Sequence, residues 1–159
     1  MAVHLTRPEK AVLVGTAHGL PLETIARQHA MRVVTVQGYL RLAKGKFGSR
    51  DLTDAAVVYR AYLCGILRDS SARAALHHHL ASWQITLLEL TARGTSPREI
   101  AHRSGIPIAT VEADLNALCA ALGARNAAHL ITRTWQLRLL ARRRPRPHAA
   151  LPPGHRTAA

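Results

Sequence analysis

Apolar residues recur at intervals of three and four along most of the chain, and no stretch alternates with period two over a useful length. The pattern predicts helices and no sheet. They fall at about 7–18, 21–29, 33–46 and 51–67, then again at about 82–93, 97–104, 108–121 and 126–142. Gly19 and Gly48 suit the ends of the first and third helices, and Pro21 suits the opening turn of the second. Ser96-Pro-Arg-Glu99 reads as a capping box with Pro97 at the first helical position, satisfying amide donors that the helix itself leaves unpaired.

The second set repeats the first. Shifting the chain by 75 residues without a gap aligns twelve identities between 5–55 and 80–130, among them Leu13/Leu88, Thr16/Thr91, Gly19/Gly94, Ile25/Ile100, Val36/Val111 and Leu40/Leu115. Most are apolar or glycine, the residues that build cores and turns. Two copies at this period indicate a duplicated domain rather than a solenoid. Leu13, Ala17, Ile25, Ala26, Val36 and Leu40, with their partners 75 residues on, are expected to line a small three-helix core in each copy. The predicted fold is all-α, with two tandem four-helix domains at 1–67 and 80–141, a short polar linker at 68–79 and a tail at 142–159.

Charge distinguishes the copies. The 159 residues include 22 Lys and Arg against 9 Asp and Glu, a net charge of +13, which points to a polyanionic partner. Residues 24–50 hold six basic and no acidic groups, whereas 99–125 hold two basic and three acidic ones. Residues 138–159 add six basic groups and no acid. The tail, with Arg142-Arg-Arg-Pro-Arg-Pro-His and Leu151-Pro-Pro-Gly, has a composition that cannot offset the entropy of ordering. It reads as a disordered arm that either enters a minor groove or serves only solubility. Aromatic residues make up 4 % of the chain, too few for a base-stacking platform.

Other chemistry is sparse. Cys64 and Cys119 form no disulfide framework or zinc spacing and read as two buried thiols in a reducing compartment. His77-His-His79 cannot converge on one metal, because consecutive helical residues point about 100° apart. Neither a spanning apolar run nor a signal-peptide layout is present, so a soluble intracellular protein is expected. Nucleophile, base or paired-carboxylate sets at catalytic spacing are missing, and neither an enzyme nor a cofactor is expected.

A short second helix, a tight turn and a longer third helix is the layout that places one helix in the DNA major groove while another braces it. Protein-binding modules use it too. The segments Leu5-Thr-Arg-Pro-Glu-Lys-Ala-Val-Leu, Ala17-His-Gly-Leu-Pro-Leu-Glu-Thr-Ile-Ala, Thr35-Val-Gln-Gly-Tyr-Leu and Phe47-Gly-Ser-Arg-Asp carry a further resemblance. So do Ala92-Arg-Gly-Thr-Ser-Pro-Arg-Glu-Ile-Ala, Thr110-Val and Leu122-Gly-Ala-Arg-Asn, and together the copies cover about 130 of 159 residues. The chain resembles a tandem LuxR/GerE-type helix-turn-helix protein. The closing Leu-Gly-Ala-Arg-Asn element and fourth helix favour this family over region 4 of sigma factors.

The resemblance implies a bacterial transcription regulator at the nucleoid, binding double-stranded DNA through the helix that begins near Thr35. Carried over, base-reading positions fall on Gln37, Gly38 and Arg41, and phosphate contacts on Thr35 and Tyr39. Gln and Arg suit adenine and guanine in the major groove. Arg32, Lys44, Lys46 and Arg50 are expected to add phosphate contacts. Gln37 and Tyr39 stand where the family has Lys and His, so the target sequence does not follow. In the second copy the equivalent surface is Thr110, Glu112, Asp114 and Asn116 with Arg125, and two carboxylates there repel a phosphate backbone. That copy is read as a dimerisation or partner module, with a second DNA half-site as the alternative. Val58, Tyr62 and Ile66, at i, i+4 and i+8, and Trp135 have two readings: a homodimer contact through the fourth helices, or packing within the chain. With no room for a receiver or ligand-binding domain, regulation is expected through amount, partner or oligomerisation. An adaptor of RNA polymerase or another regulator, and a nucleoid-type protein without sequence preference, are the other functions considered.

Overall fold

The computed structural model describes residues 3–68 and 80–140. The linker histidines and the basic tail therefore lie outside the described residues. Among those described there are eight helices and no strand: α1 (Arg7–Ala17), α2 (Leu22–Gln28), α3 (Val33–Lys46), α4 (Asp54–Leu63), α5 (Ser82–Arg93), α6 (Pro97–Ser104), α7 (Ile108–Leu122) and α8 (Ala127–Gln136). The described part of the chain is all-helical. Among the described residues no helix is long and apolar enough to cross a membrane, and no three His, Cys, Asp or Glu gather to hold a metal ion.

Caps set most boundaries. Thr6 and Glu9 form a reciprocal box at the start of α1: the Thr6 N–H donates to Glu9 Oε2 at 2.7 Å, and Thr6 Oγ1 accepts from the Glu9 N–H. At α6 only the serine half of the expected box forms, with Ser96 Oγ accepting from the Glu99 N–H at 3.2 Å while the Glu99 carboxylate pairs with Arg103. The fourth helices are shorter than the apolar pattern suggested. Thr53 and Asn126 cap their starts, accepting from Ala56 N–H and His129 N–H. Past their ends the backbone turns left-handed, at Gly65 (φ 69) and Arg138 (φ 56).

These caps reveal a change of register. The copies match at an interval of 75 through α3 and α7, but Thr53 and Asn126, or Gly65 and Arg138, match at 73. The first half has two extra residues before its fourth helix.

Packing differs from two separately cored domains. Val12, Ile25, Ala26, Val36 and Leu40 form a small core among α1, α2 and α3. Leu13 and Ala17, expected in that core, instead join a larger cluster that includes Val57, Val58, Ala61 and Tyr62 of α4 with Leu87, Leu88, Leu130 and Ile131 of the second half. Successive residues on a helix face different ways, so Val12 and Leu13 serve different cores. Among the second-half partners, Ala101 and Leu115 are only half-buried.

The contacts between halves are reciprocal: α4 packs on α8, α4 on α5, and α8 on α1. Exchanging the halves maps this set onto itself, as a two-fold axis does. A Cβ on Gly19 would lie 2.8 Å from His129 Cβ, and one on Gly94 would lie 3.0 Å from Ala56 Cβ, equivalent close approaches in which the glycines match at 75 and their partners at 73. The second half also satisfies the end of α1, where Thr132 Oγ1 donates to the Ala17 carbonyl at 2.7 Å and Arg125 Nη1 to the His18 carbonyl at 3.3 Å.

Candidate nucleic-acid interface

The α3 helix packs on α1 and α2 and leaves its opposite face in solvent. On that face Thr35, Gln37, Gly38 and Arg41 are exposed, with Val34 and Leu42 also open at 67 % and 47 %. No atom lies within 4 Å of a Cβ added at Gly38. The 3.6-residue period that buries Val36, Leu40 and Ala43 turns this polar set outward. Arg32, the residue preceding α3, and Arg50 beyond its end are exposed as well.

Three expected phosphate contacts are otherwise engaged. Lys44 Nζ pairs with Asp54 Oδ1 at 2.7 Å and Lys46 Nζ with Glu9 Oε2 at 2.7 Å, bonds that tie α3 to α4 and α1. Tyr39 is half-buried against the Val12–Ile25 core. The Glu9 residue is 3 % exposed. Burial pushes its carboxyl up, but the Lys46 ammonium and the Thr6 N–H outweigh this and hold its pKa below the ordinary value.

Arginine anchors in both halves went unrecognised in the sequence. Arg60 Nη1 donates to the Phe47 carbonyl at the end of α3, and Arg133 Nε donates to the Leu122 carbonyl at the end of α7 at 2.8 Å. Each holds the last turn of the third helix from the fourth. At an interval of 75, Arg60 falls opposite Trp135; only the 73-residue register brings it opposite Arg133.

The second half presents a different face. On α7, Thr110, Glu112 and Asn116 are exposed, but Asp114 is half-buried and accepts from the Trp83 indole N–H at 2.9 Å. The expectation of two free carboxylates is corrected to one, because Asp114 binds α5. Arg125, placed on that surface by sequence, reaches the first half at His18.

Val58 and Tyr62 are buried and Ile66 and Trp135 half-buried at the contact between the halves. Tyr62 stacks on Trp135, ring centroids 5.2 Å apart and planes 21° apart, while Tyr59 meets the same indole edge-on at 6.3 Å. This face is covered by the other half of the same chain, the second of its two readings. His129 lies in this contact, its Nδ1 accepting from the Arg125 N–H at 3.2 Å. Burial lowers its pKa, and Arg125, Arg133 and His18 lower it further. The thiols also differ from expectation: Cys64, just past α4, is exposed, and Cys119 is half-buried, which pushes its pKa up. Comparison with protein-family models, curated proteins and solved structures finds no match for the chain.

Proposed function

We propose that the chain is a sequence-specific double-stranded DNA-binding transcription regulator that reads the major groove with α3. The observation that carries this reading is the solvent face of α3, where Gln37, Gly38 and Arg41 stand open between Arg32 and Arg50 and no acidic residue of 24–50 opposes them. Gln and Arg side chains on such a face pair bidentately with adenine and guanine edges, and the flanking guanidinium groups neutralise phosphates. The two LuxR/GerE-type units, residues 1–67 and 80–141, divide the work. The second is the first unit's built-in dimerisation partner, a reading supported by the paired fourth helices and by the exposed Glu112. The basic residues of the segment 142–159 add charge.

The test is selection of bound sequences from a random duplex pool. The wild type should enrich a motif that Gln37→Ala/Arg41→Ala loses and Glu112→Ala retains. Asp114 is left intact because of its bond to Trp83. Binding without an enriched motif would identify a nucleoid-type protein and sink the sequence-specific reading. No binding to duplex, with capture of RNA polymerase lost in Glu112→Ala, would identify an adaptor.

A further inference from the structure

Between the halves lies a cavity of 430 Å³, within the size range of small-molecule pockets. Its walls come in matched positions: Thr16 with Thr91 and Leu40 with Leu115 at an interval of 75, Thr53 with Asn126 at 73. The whole lining divides in this way, eight residues from each half, so the cavity sits on the axis that relates them.

The lining is mainly apolar, and the hydroxyls of Thr16, Thr53, Thr91 and Ser96 are bonded to backbone groups of their own helices. Thr16 and Thr91 donate to the Val12 and Leu87 carbonyls at 3.0 and 2.8 Å, and Thr53 accepts from the Ala56 N–H at 3.2 Å. Asp54 also lines the wall, paired to Lys44, and its carboxylate disfavours an anion. The volume holds roughly one turn of a helix with its side chains, too little to seat a partner helix. We propose that this cavity binds a compact, uncharged, mainly apolar small molecule. Because Leu40 belongs to α3 and Leu115 to α7, the occupant touches both third helices at once. Its presence fixes their separation and thereby tunes binding to duplex DNA. Only this last consequence rests on the DNA-binding reading.

The probe is N-phenyl-1-naphthylamine, a neutral fluorophore that brightens out of water, titrated into the full chain. Saturable single-site binding is expected, weakened about tenfold or more by Ala127→Trp and by Thr95→Trp. These substitutions set an indole at the cavity wall from exposed and half-exposed positions, and helicity is checked for each. If one variant fails to fold, the other carries the comparison. No saturable signal in the wild type, or unchanged affinity in the folded variants, overturns the proposal. Duplex affinity is read in the same samples with and without saturating probe. A shift of about fivefold or more supports the effector role, and no shift overturns that role. If no duplex binding occurs at all, the DNA reading fails while the probe result still decides the site.

Discussion

Ala30 occupies the left-handed region at φ 52, where its counterpart 75 residues on is Gly105 at φ 68. A Cβ in that region meets the following carbonyl at a cost of about 1 kcal/mol. Ala30→Gly should therefore stabilise the chain by about that amount in denaturant unfolding, less the entropy that glycine adds to the unfolded state. Glu9 supports a second prediction. Its folded pKa is lowered, so its contribution is complete above the ordinary glutamate value near 4.3 and is lost as pH falls through the lower folded value. Gln84, its counterpart, accepts from the Ala81 N–H at 2.9 Å, showing that glutamine keeps this half of the cap. Glu9→Gln should therefore preserve α1 but lose the Lys46 pair, flattening the fall in thermal midpoint between about pH 5 and pH 2. Exposure of Gln37, Gly38 and Arg41 was legible in the sequence because helical period alone decides it. The engagement of Lys44, Lys46 and Asp114 was not, since each bond joins helices brought together only by folding.

At the scale of elements, the first three helices of each copy were legible almost to the residue, for apolar period and cap chemistry are local signals. The fourth helices were overextended, because their apolar pattern runs past Leu63 and Gln136 into turns whose residues pack on the shared core. A change of two residues in the repeat interval hid the arginine anchors for a related reason: an ungapped comparison cannot see a length difference. Gly38 allows α3 itself to be tested. Its surroundings are empty, so Gly38→Ala should raise stability by up to about 1 kcal/mol through helix propensity. If α3 reads base edges at that point, the added methyl holds the backbone away, and duplex affinity should fall about tenfold even as the helix gains stability. Parallel thermal unfolding and duplex titration separate the two effects. Unchanged affinity would place Gly38 away from the DNA.

For the whole molecule, the union of the halves was the least legible feature, because a sequence does not say whether an apolar stripe meets its own chain or another. The structure covers Leu13, Ala17, Val58 and Tyr62 internally. The full chain should sediment as a monomer, whereas a fragment ending at residue 68 should self-associate through the bared face; a dimeric full chain would contradict this. Acid should loosen the union as well. The lowered pKa of His129 means its neutral form is favoured in the fold, so stability is complete above the unfolded value near 6.5 and declines as pH drops below it. The groups facing it are the cations Arg125 and Arg133 and the imidazole of His18. His129→Gln should remove this part of the pH dependence, measured as the thermal midpoint between about pH 7 and pH 5. The Tyr62–Trp135 stack has a broader consequence. In a two-fold homodimer every substitution is made twice, and residues meeting on the axis are identical. Here two different aromatic rings meet there, so each half can change alone, and a carboxylate introduced on one outward helix leaves the other untouched.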